Sequence, residues 1–266
     1  MHEPDFSPYK PDLSVPNAAR MYDYYLGGKD NYEVDRIAAK KIMALGPSRD
    51  ICIANRRFLG RAVRLAAEQG IRQFLDLGTG LPTQDNVHQV AKRVVPDARV
   101  AYVDFDPVVL SHARALRAID DSTAVIQQDI RQPDKVLSHP DVRRLIDFGE
   151  PVAVLFVAIL HCLTDAEDPW GIVKELTRNV VPGSHLIVSH LTDDAHPEVG
   201  MAAREVYDDA NAPLVHRGHT AVERFFDGFE LVEPGVTRVD QWRPDNDEDR
   251  ERPGGEWFYV GVGSRS

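Results

Sequence analysis

The sequence predicts an α/β protein built on a doubly wound parallel sheet, and three features predict it. Short apolar runs alternate with amphipathic helical stretches, the order expected when helices cover both faces of a sheet. One run, Phe74-Leu75-Asp76-Leu77, passes directly into Gly78-Thr79-Gly80-Leu81-Pro82, a strand-to-helix turn with glycines at alternate positions. Successive runs also end on or just before acidic residues, Asp76, Asp104 and Asp129. These mark the carboxyl edge, where open sheets of this kind bind ligands.

The 266 residues, 43% of them hydrophobic, suffice for one full α/β domain with an extension. We expect an N-terminal arm or lid over residues 1–47 and a Rossmann-like domain over 48–266. A net charge of −11 argues against nucleic acid as a partner. No apolar run reaches membrane-span length and no charged-then-apolar leader opens the chain, so no membrane association is expected. The two cysteines, Cys52 and Cys162, form neither a metal nor a disulfide pattern. The expected setting is therefore cytoplasmic. His216 and His219 are spaced H-x-x-H without an evident third ligand, and no metal is expected.

Residues 1–15, with Pro4, Pro8 and Pro11, read as irregular. From Pro16 to Tyr32 runs a cluster containing Tyr22, Tyr24, Tyr25 and Tyr32, broken at Gly27-Gly28 and followed by Lys29, Asp30 and Asn31. The bland reading is an arm that packs its tyrosines on the domain. The functional one is a lid that brings polar groups to a substrate. Ser48 to Gly70 reads as an amphipathic helix, with Ile51, Ala54, Phe58, Ala62 and Leu65 at helical spacing and Gly70 past its end. Asn55, Arg56 and Arg57 read as its solvated or packing face.

Asp76 sits two places ahead of the first glycine, where its charge suits a cation such as the amino group of a methionine moiety. A dinucleotide fingerprint would instead read G-x-G-x-x-G/A, and Thr83 stands at its last position. Gly78, Thr79 and Gly80 would form a polar cradle of backbone N–H groups. Thr83 then caps a helix to about Val95. The second strand, Val100 to Val103, leads into Asp104-Phe105-Asp106-Pro107. Asp106 precedes a proline and suits an N-cap, so Asp104 is assigned to a ribose diol, with Phe105 and Asp106 beside it. The helix from Pro107 would turn Val109, Ala113 and Leu116 inward.

The third strand, Ala124 to Ile126, precedes Asp129 and Ile130. These could meet an adenine amine and ring edge. A helical stretch from Asp134 to Ile146 breaks at Pro140. Pro151 to Leu160 is almost wholly apolar, the pattern of a strand buried on both faces. It carries Ala158 at its end, next to the cofactor side. His161 follows at the carboxyl edge as either a general base or a wall residue. A helix from Pro169 to Val180 and a fifth strand from His185 to Ser189 come next. The region from His190 to Arg217, with a helical stretch from Pro197 to Ala210, is expected to cross the pocket. Thr220 and Glu223 form a capping-box pattern. Phe229 to Glu233 and Trp257 to Val262 read as the last strands, separated by a solvated, charge-dense loop from Asp245 to Arg252.

The stretch Phe74 to Pro82 resembles motif I of class I S-adenosylmethionine-dependent methyltransferases, with proline in place of the third glycine. The arm from Ala19 to Tyr32, Asn55 to Leu59, Tyr102 to Pro107, Leu160-His161 and Phe225 to Gly228 are similar to blocks of an actinobacterial group of such enzymes, formerly catalogued as a domain of unknown function. The resemblance covers about Pro16 to Gly263. It implies a seven-stranded doubly wound sheet with an antiparallel last strand, and a cofactor across strands one to three. On that reading Asp76, Gly78, Thr79 and Gly80 hold the methionine part. Asp104 serves the ribose and Asp129 with Ile130 the adenine, with Phe105, Asp106 and Ala158 as further cofactor-binding residues. Tyr22, Tyr25 and His161 become candidates for catalysis, with Lys29 and Asn31 for binding a small-molecule methyl acceptor. The alternatives are a non-catalytic cofactor-binding protein and a nicotinamide-dependent oxidoreductase.

Overall fold

The computed structural model describes residues 12, 14–81, 85–106, 108 and 121–266. The expected cap at Thr83, the helix from Pro107 through Leu116 and most of the irregular N-terminal stretch lie outside these residues. Among the described residues the strands are β1 (Gln73–Leu77), β2 (Arg99–Asp104), β3 (Thr123–Gln127), β4 (Ala153–Val157), β5 (His185–Leu191), β6 (Glu230–Leu231), β7 (Thr237–Arg238) and β8 (Phe258–Ser264). They form one sheet in the order β3-β2-β1-β4-β5-β8-β6, with β7 paired to β8. β1 to β5 pair in parallel; β8 runs antiparallel to β5, from His185 opposite Ser264 to Leu191 opposite Phe258. The expected seven-strand path is present, and the short β7 is an addition that the sequence reading did not contain.

Side chains alternate between two buried layers, as the period of a strand requires. Phe74, Val100 and Tyr102 pack with one cluster, and Leu75, Leu77, Ala101 and Val103 with the other. The first layer is covered by α3 (Ser48–Glu68) and α4 (Val87–Val94). Phe58 of α3 meets Trp242 edge-on, with ring centroids 5.1 Å apart. Each such fully buried side chain contributes roughly 1.5–3 kcal/mol. The second layer is covered by the helices Pro133–Ser138, Pro140–Leu145 and Pro169–Leu176 and by Phe225 and Phe226. Pro140 divides the first two as expected, since it lacks an N–H and can only begin a helix. Gly70, at φ +93°, ends α3.

Two expectations are corrected. Thr220 does not cap the helix His219–Glu223; the extended Gly218 does, which shifts the helix start two residues earlier. The charged segment 245–252 is not simply solvated. It contains the helix Asp247–Glu251, capped by Asn246, and its Asp249 is buried against Arg57 and Arg61 of α3.

The arm forms α1 (Ala18–Tyr25) and α2 (Glu33–Met43). They pack through Met21, Tyr25, Ala38 and Ala39 on Cys52 of α3 and on Val206 and Tyr207 of the helix Pro197–Tyr207. Buried Arg20 pairs with Asp35 at 2.7 Å and ties the two helices together. The arm thereby lies over the carboxyl edge of the sheet.

Candidate active site

A cavity opens at the carboxyl ends of β1, β2 and β4, roofed by α1 and by the helix Pro197–Tyr207. Strand order reverses between β1 and β4, and open sheets part at such a point. Asp76 lines the cavity and is 5% exposed. Thr79 donates to its Oδ2 at 3.1 Å. Burial pushes the Asp76 carboxyl up to about 6, against the lowering effects of Thr79 and Arg56. A buried carboxylate with one hydroxyl partner is short of positive charge.

The loop after Asp76 needs its glycines for different reasons. Gly78 has φ +74°, and a Cβ there would lie 2.2 Å from Ile159, so the turn passes against that side chain. Gly80 has φ +64° and nothing within 4 Å of a Cβ position, leaving open space over its backbone. The N–H of Gly80 is held by Asp104 Oδ2 at 2.8 Å, and Asp104 Oδ1 accepts from Asp106 N at 2.9 Å. An ionised carboxylate has about four lone-pair sites, so Asp104 keeps acceptor capacity for a further donor. Its carboxyl is raised by burial.

Asp106 accepts from Val108 N at 2.8 Å, as a cap should, and from Asn17 Nδ2 at 2.7 Å. Phe105 is exposed beside it and lines the cavity. Ala158 lines the cavity at the end of β4 with φ +58°, held by bonds from its N–H to Ser189.

Four of the expected residues are not brought to this cavity. Asp129 folds onto Arg131, with N–O distances of 2.8–2.9 Å, and Arg131 reaches on to Glu167. Ile130 is buried in the core with Leu137 and Val136. Lys29 lines a neighbouring groove with Gly27 and Gly28. Asn31 spends its amide on Asp23 at 2.8 Å and on Gly28 O at 3.0 Å. Its role is to close the Gly27-Gly28 turn.

Tyr22, Tyr25 and His161 do line the cavity. Tyr22 donates to Cys52 O at 3.2 Å and accepts from Asn55 Nδ2 at 2.9 Å, so its hydroxyl is engaged. The buried Tyr25 hydroxyl faces the hydroxyl of Tyr207, on which Tyr25 packs. Burial raises both phenols and keeps them protonated. His161 is lowered well below its ordinary value by burial and by nearby His190, His216 and Arg217. The thiol of Cys162, also in the wall, is pushed up to about 12 by burial.

Asn17, Asn55, Arg56, Tyr207 and His216 line the cavity without having been singled out for it. A signal existed for Asn55: it lies four residues after Ile51 on the apolar stripe of α3, where a polar side chain needs a reason. Its Oδ1 is buried with no partner. Asn17 and Tyr207 carry no local pattern; the packing of distant segments places them.

The residues present fit S-adenosylmethionine. A buried anion at Asp76 suits an ammonium, the open face of Gly80 admits a ligand to the main chain, and Asp104 has acceptor capacity for a diol. Among the described residues no group of three or more His, Cys, Asp or Glu side chains is placed to hold a metal ion. No helix among them is long and apolar enough to cross a membrane.

Comparison with known proteins agrees with this geometry. A family model described as S-adenosyl methyltransferase matches residues 6–266. The structure of a putative methyltransferase from Thermobifida fusca is 44% identical, with TM-score 0.90, over 99% of this chain and 100% of that one. A duf574 family protein from Streptomyces avermitilis is 38% identical, with TM-score 0.90, over 96% and 99% of the two chains. The N-methyltransferase NodS from Bradyrhizobium japonicum, solved with S-adenosyl-L-homocysteine, shares the fold at 14% identity and TM-score 0.50, over 92% of this chain and 98% of that one. No match is found among curated proteins. By its match along residues 6–266 and its two near relatives, the chain belongs to the S-adenosyl methyltransferase family, and it is an S-adenosylmethionine-dependent methyltransferase with the class I fold.

Proposed function

We propose that the protein methylates a small-molecule acceptor held beneath its N-terminal arm, with Asp76 binding the cofactor's ammonium and Asp104 its ribose. The observation that carries this reading is Asp76: a buried carboxylate beside a glycine turn, inside the cavity, with a single hydroxyl for a partner. Bound there, S-adenosylmethionine would supply an electrophilic sulfonium methyl, held by Asp76 at its ammonium and Asp104 at its ribose.

The protein's part is positioning and exclusion of water. Gly78, Thr79 and Gly80 shape the turn beside the methionine portion; the N–H cradle expected from the sequence is not free, because Gly78 and Thr79 donate to Val103 O and Gly80 to Asp104. Phe105 and Ala158 offer apolar surface to the nucleoside. Arg56 faces the same cavity and suits a carboxylate. Asn17 and Asp106 fasten the arm over the cofactor side.

Calorimetric titration with S-adenosylhomocysteine tests the reading. We expect one site per chain, with Asp76→Ala and Asp104→Ala each weakening it more than tenfold while the fold persists. A silent titration of the wild-type protein, or binding of NADH in its place, would overturn it.

A further inference from the structure

The cavity is chemically divided. Its charged side chains are Asp76, Asp104 and Asp106 at the strand tips and Asp23 and Arg56 on α1 and α3. None comes from the opposite wall, residues 191–216 with Trp257 and Phe258. That wall is largely apolar and aromatic, with Leu214, Tyr207, Trp257 and Phe258, and Tyr207 packs against Tyr25 of α1.

Two imidazoles interrupt it, and their hydrogen bonds define which nitrogen carries the proton. Leu191 N–H donates to His161 Nδ1 at 3.4 Å. Arg204 Nε–H donates to His216 Nδ1 at 3.2 Å, and Arg204 is itself held by an ion pair with Asp193. In each ring Nδ1 is an acceptor, so a neutral imidazole carries its proton on Nε2. Both rings are neutral: burial above all lowers His161 well below its ordinary value and His216 to about 4, the latter against the raising effect of Asp193. The other polar groups on this side are engaged: Asn211 Oδ1 accepts from Ala18 N at 2.8 Å, and the Tyr25 and Tyr207 hydroxyls face each other. This half of the cavity therefore offers hydrogen-bond donors and no formal charge.

We infer that the acceptor is an uncharged aromatic molecule bearing an oxygen that accepts hydrogen bonds from His161 and His216. The inference rests on the methyltransferase reading of the same cavity. A carboxylate or an ammonium would lose its hydration against this wall with no counter-charge to replace it, a cost of several kcal/mol. A flat ring laid against Trp257, Phe258 and Leu214 loses apolar area to the protein and gains edge or face contacts. His161 and His216 act here as donors that orient the acceptor, and the tautomer leaves neither with a free basic nitrogen.

Three probes of one shape test this: 2-naphthol, 2-naphthoate and 2-naphthylmethylammonium, titrated into the full chain saturated with S-adenosylhomocysteine. We expect 2-naphthol to bind at least tenfold more tightly than either charged probe. His216→Phe and His161→Phe, which keep an aromatic ring and remove a donor, should each weaken 2-naphthol about threefold to tenfold and leave S-adenosylhomocysteine affinity as it was. A charged probe binding as tightly as 2-naphthol, no naphthalene binding at all, or wild-type 2-naphthol affinity in both Phe variants would each overturn the inference while the cofactor site stands. Failure of S-adenosylhomocysteine to bind would instead remove the methyltransferase reading, and the inference with it.

Discussion

Asn17 donates from Nδ2 to Asp106 Oδ2 at 2.7 Å, joining the first residue ahead of α1 to the end of β2 across 89 positions of sequence. The same side chain caps α1, its Oδ1 accepting from Arg20 N at 3.1 Å. The two duties separate by substitution. Asn17→Ser keeps a cap and loses the tie; Asn17→Asp keeps the cap and sets a carboxylate against Asp106. We expect the arm to open in the order wild type, Ser, Asp. Hydrogen exchange in residues 18–25 should rise in that order, with S-adenosylhomocysteine affinity falling about threefold for Ser and more than tenfold for Asp. Equal protection in all three would show that the bond does not hold the arm.

The raised carboxyl of Asp76 makes cofactor binding depend on pH. Its value of about 6 means that it is ionised at pH 7.5 and mostly neutral at pH 5. The ammonium it would bind stays charged throughout. Affinity for S-adenosylhomocysteine should be flat above about pH 7 and fall up to tenfold per unit below 6. Asp76→Asn should flatten that slope and lower the plateau. Stability of the free protein runs the other way. A carboxyl raised on folding contributes stability that is fully present below its unfolded value, near 4, and lost as pH rises through about 6. At pH 7.5 Asp76→Asn should thus stabilise the ligand-free protein, by up to about 2 kcal/mol. Thermal melts of both proteins at pH 5 and 7.5 check the sign.

The sheet was legible because its signals are local and periodic. Phe74-Leu75 and Val100-Ala101-Tyr102-Val103 alternate between two layers that are both buried, so they read as continuous apolar runs. Asp76 and Asp104 were legible as residues of the cavity because a carboxylate ending such a run has no packing use. Asp129 shows where this logic stops. It also follows a strand, but Arg131, two residues on, folds back to neutralise it. A side-chain conformation decides that, and spacing does not carry it. Lys29 and Asn31 failed similarly, because the Gly27-Gly28 turn consumes the Asn31 amide locally. His216 was invisible because its bond to Arg204 joins a loop to a helix twelve residues earlier.

The two glycines of the loop should fail differently. Gly78→Ala adds a strained φ and a Cβ 2.2 Å from Ile159, so the turn itself must shift. Gly80→Ala adds only the strain, on the order of 1–2 kcal/mol, because no atom lies within 4 Å of the new Cβ. We expect Gly80→Ala to fold with a modestly lower melting temperature and a weakened cofactor site, its methyl occupying space a ligand would use. Gly78→Ala should lose several times more stability. Urea denaturation of both, beside calorimetry of the variant that folds, distinguishes the two; equal losses would mean that Ile159 yields without cost.

Asp249 supports the cavity from behind. It is buried, pairs with Arg57 and Arg61 of α3, and so fixes the helix that carries Asn55 and Arg56 into the site. Arg61 also donates to Trp242 O at 3.1 Å and Val239 O at 3.0 Å, so it is well hydrogen-bonded but would be left without its counter-charge. Breaking one side of a buried pair costs about 3–5 kcal/mol, because the remaining charge stays buried. With two carbonyls still in place, Asp249→Ala should fall at the low end of that range. Arg61→Met with Asp249→Leu, which removes the charges together, should recover much of the loss. A double variant no more stable than Asp249→Ala would place the cost in packing around Trp242 and not in the stranded guanidinium.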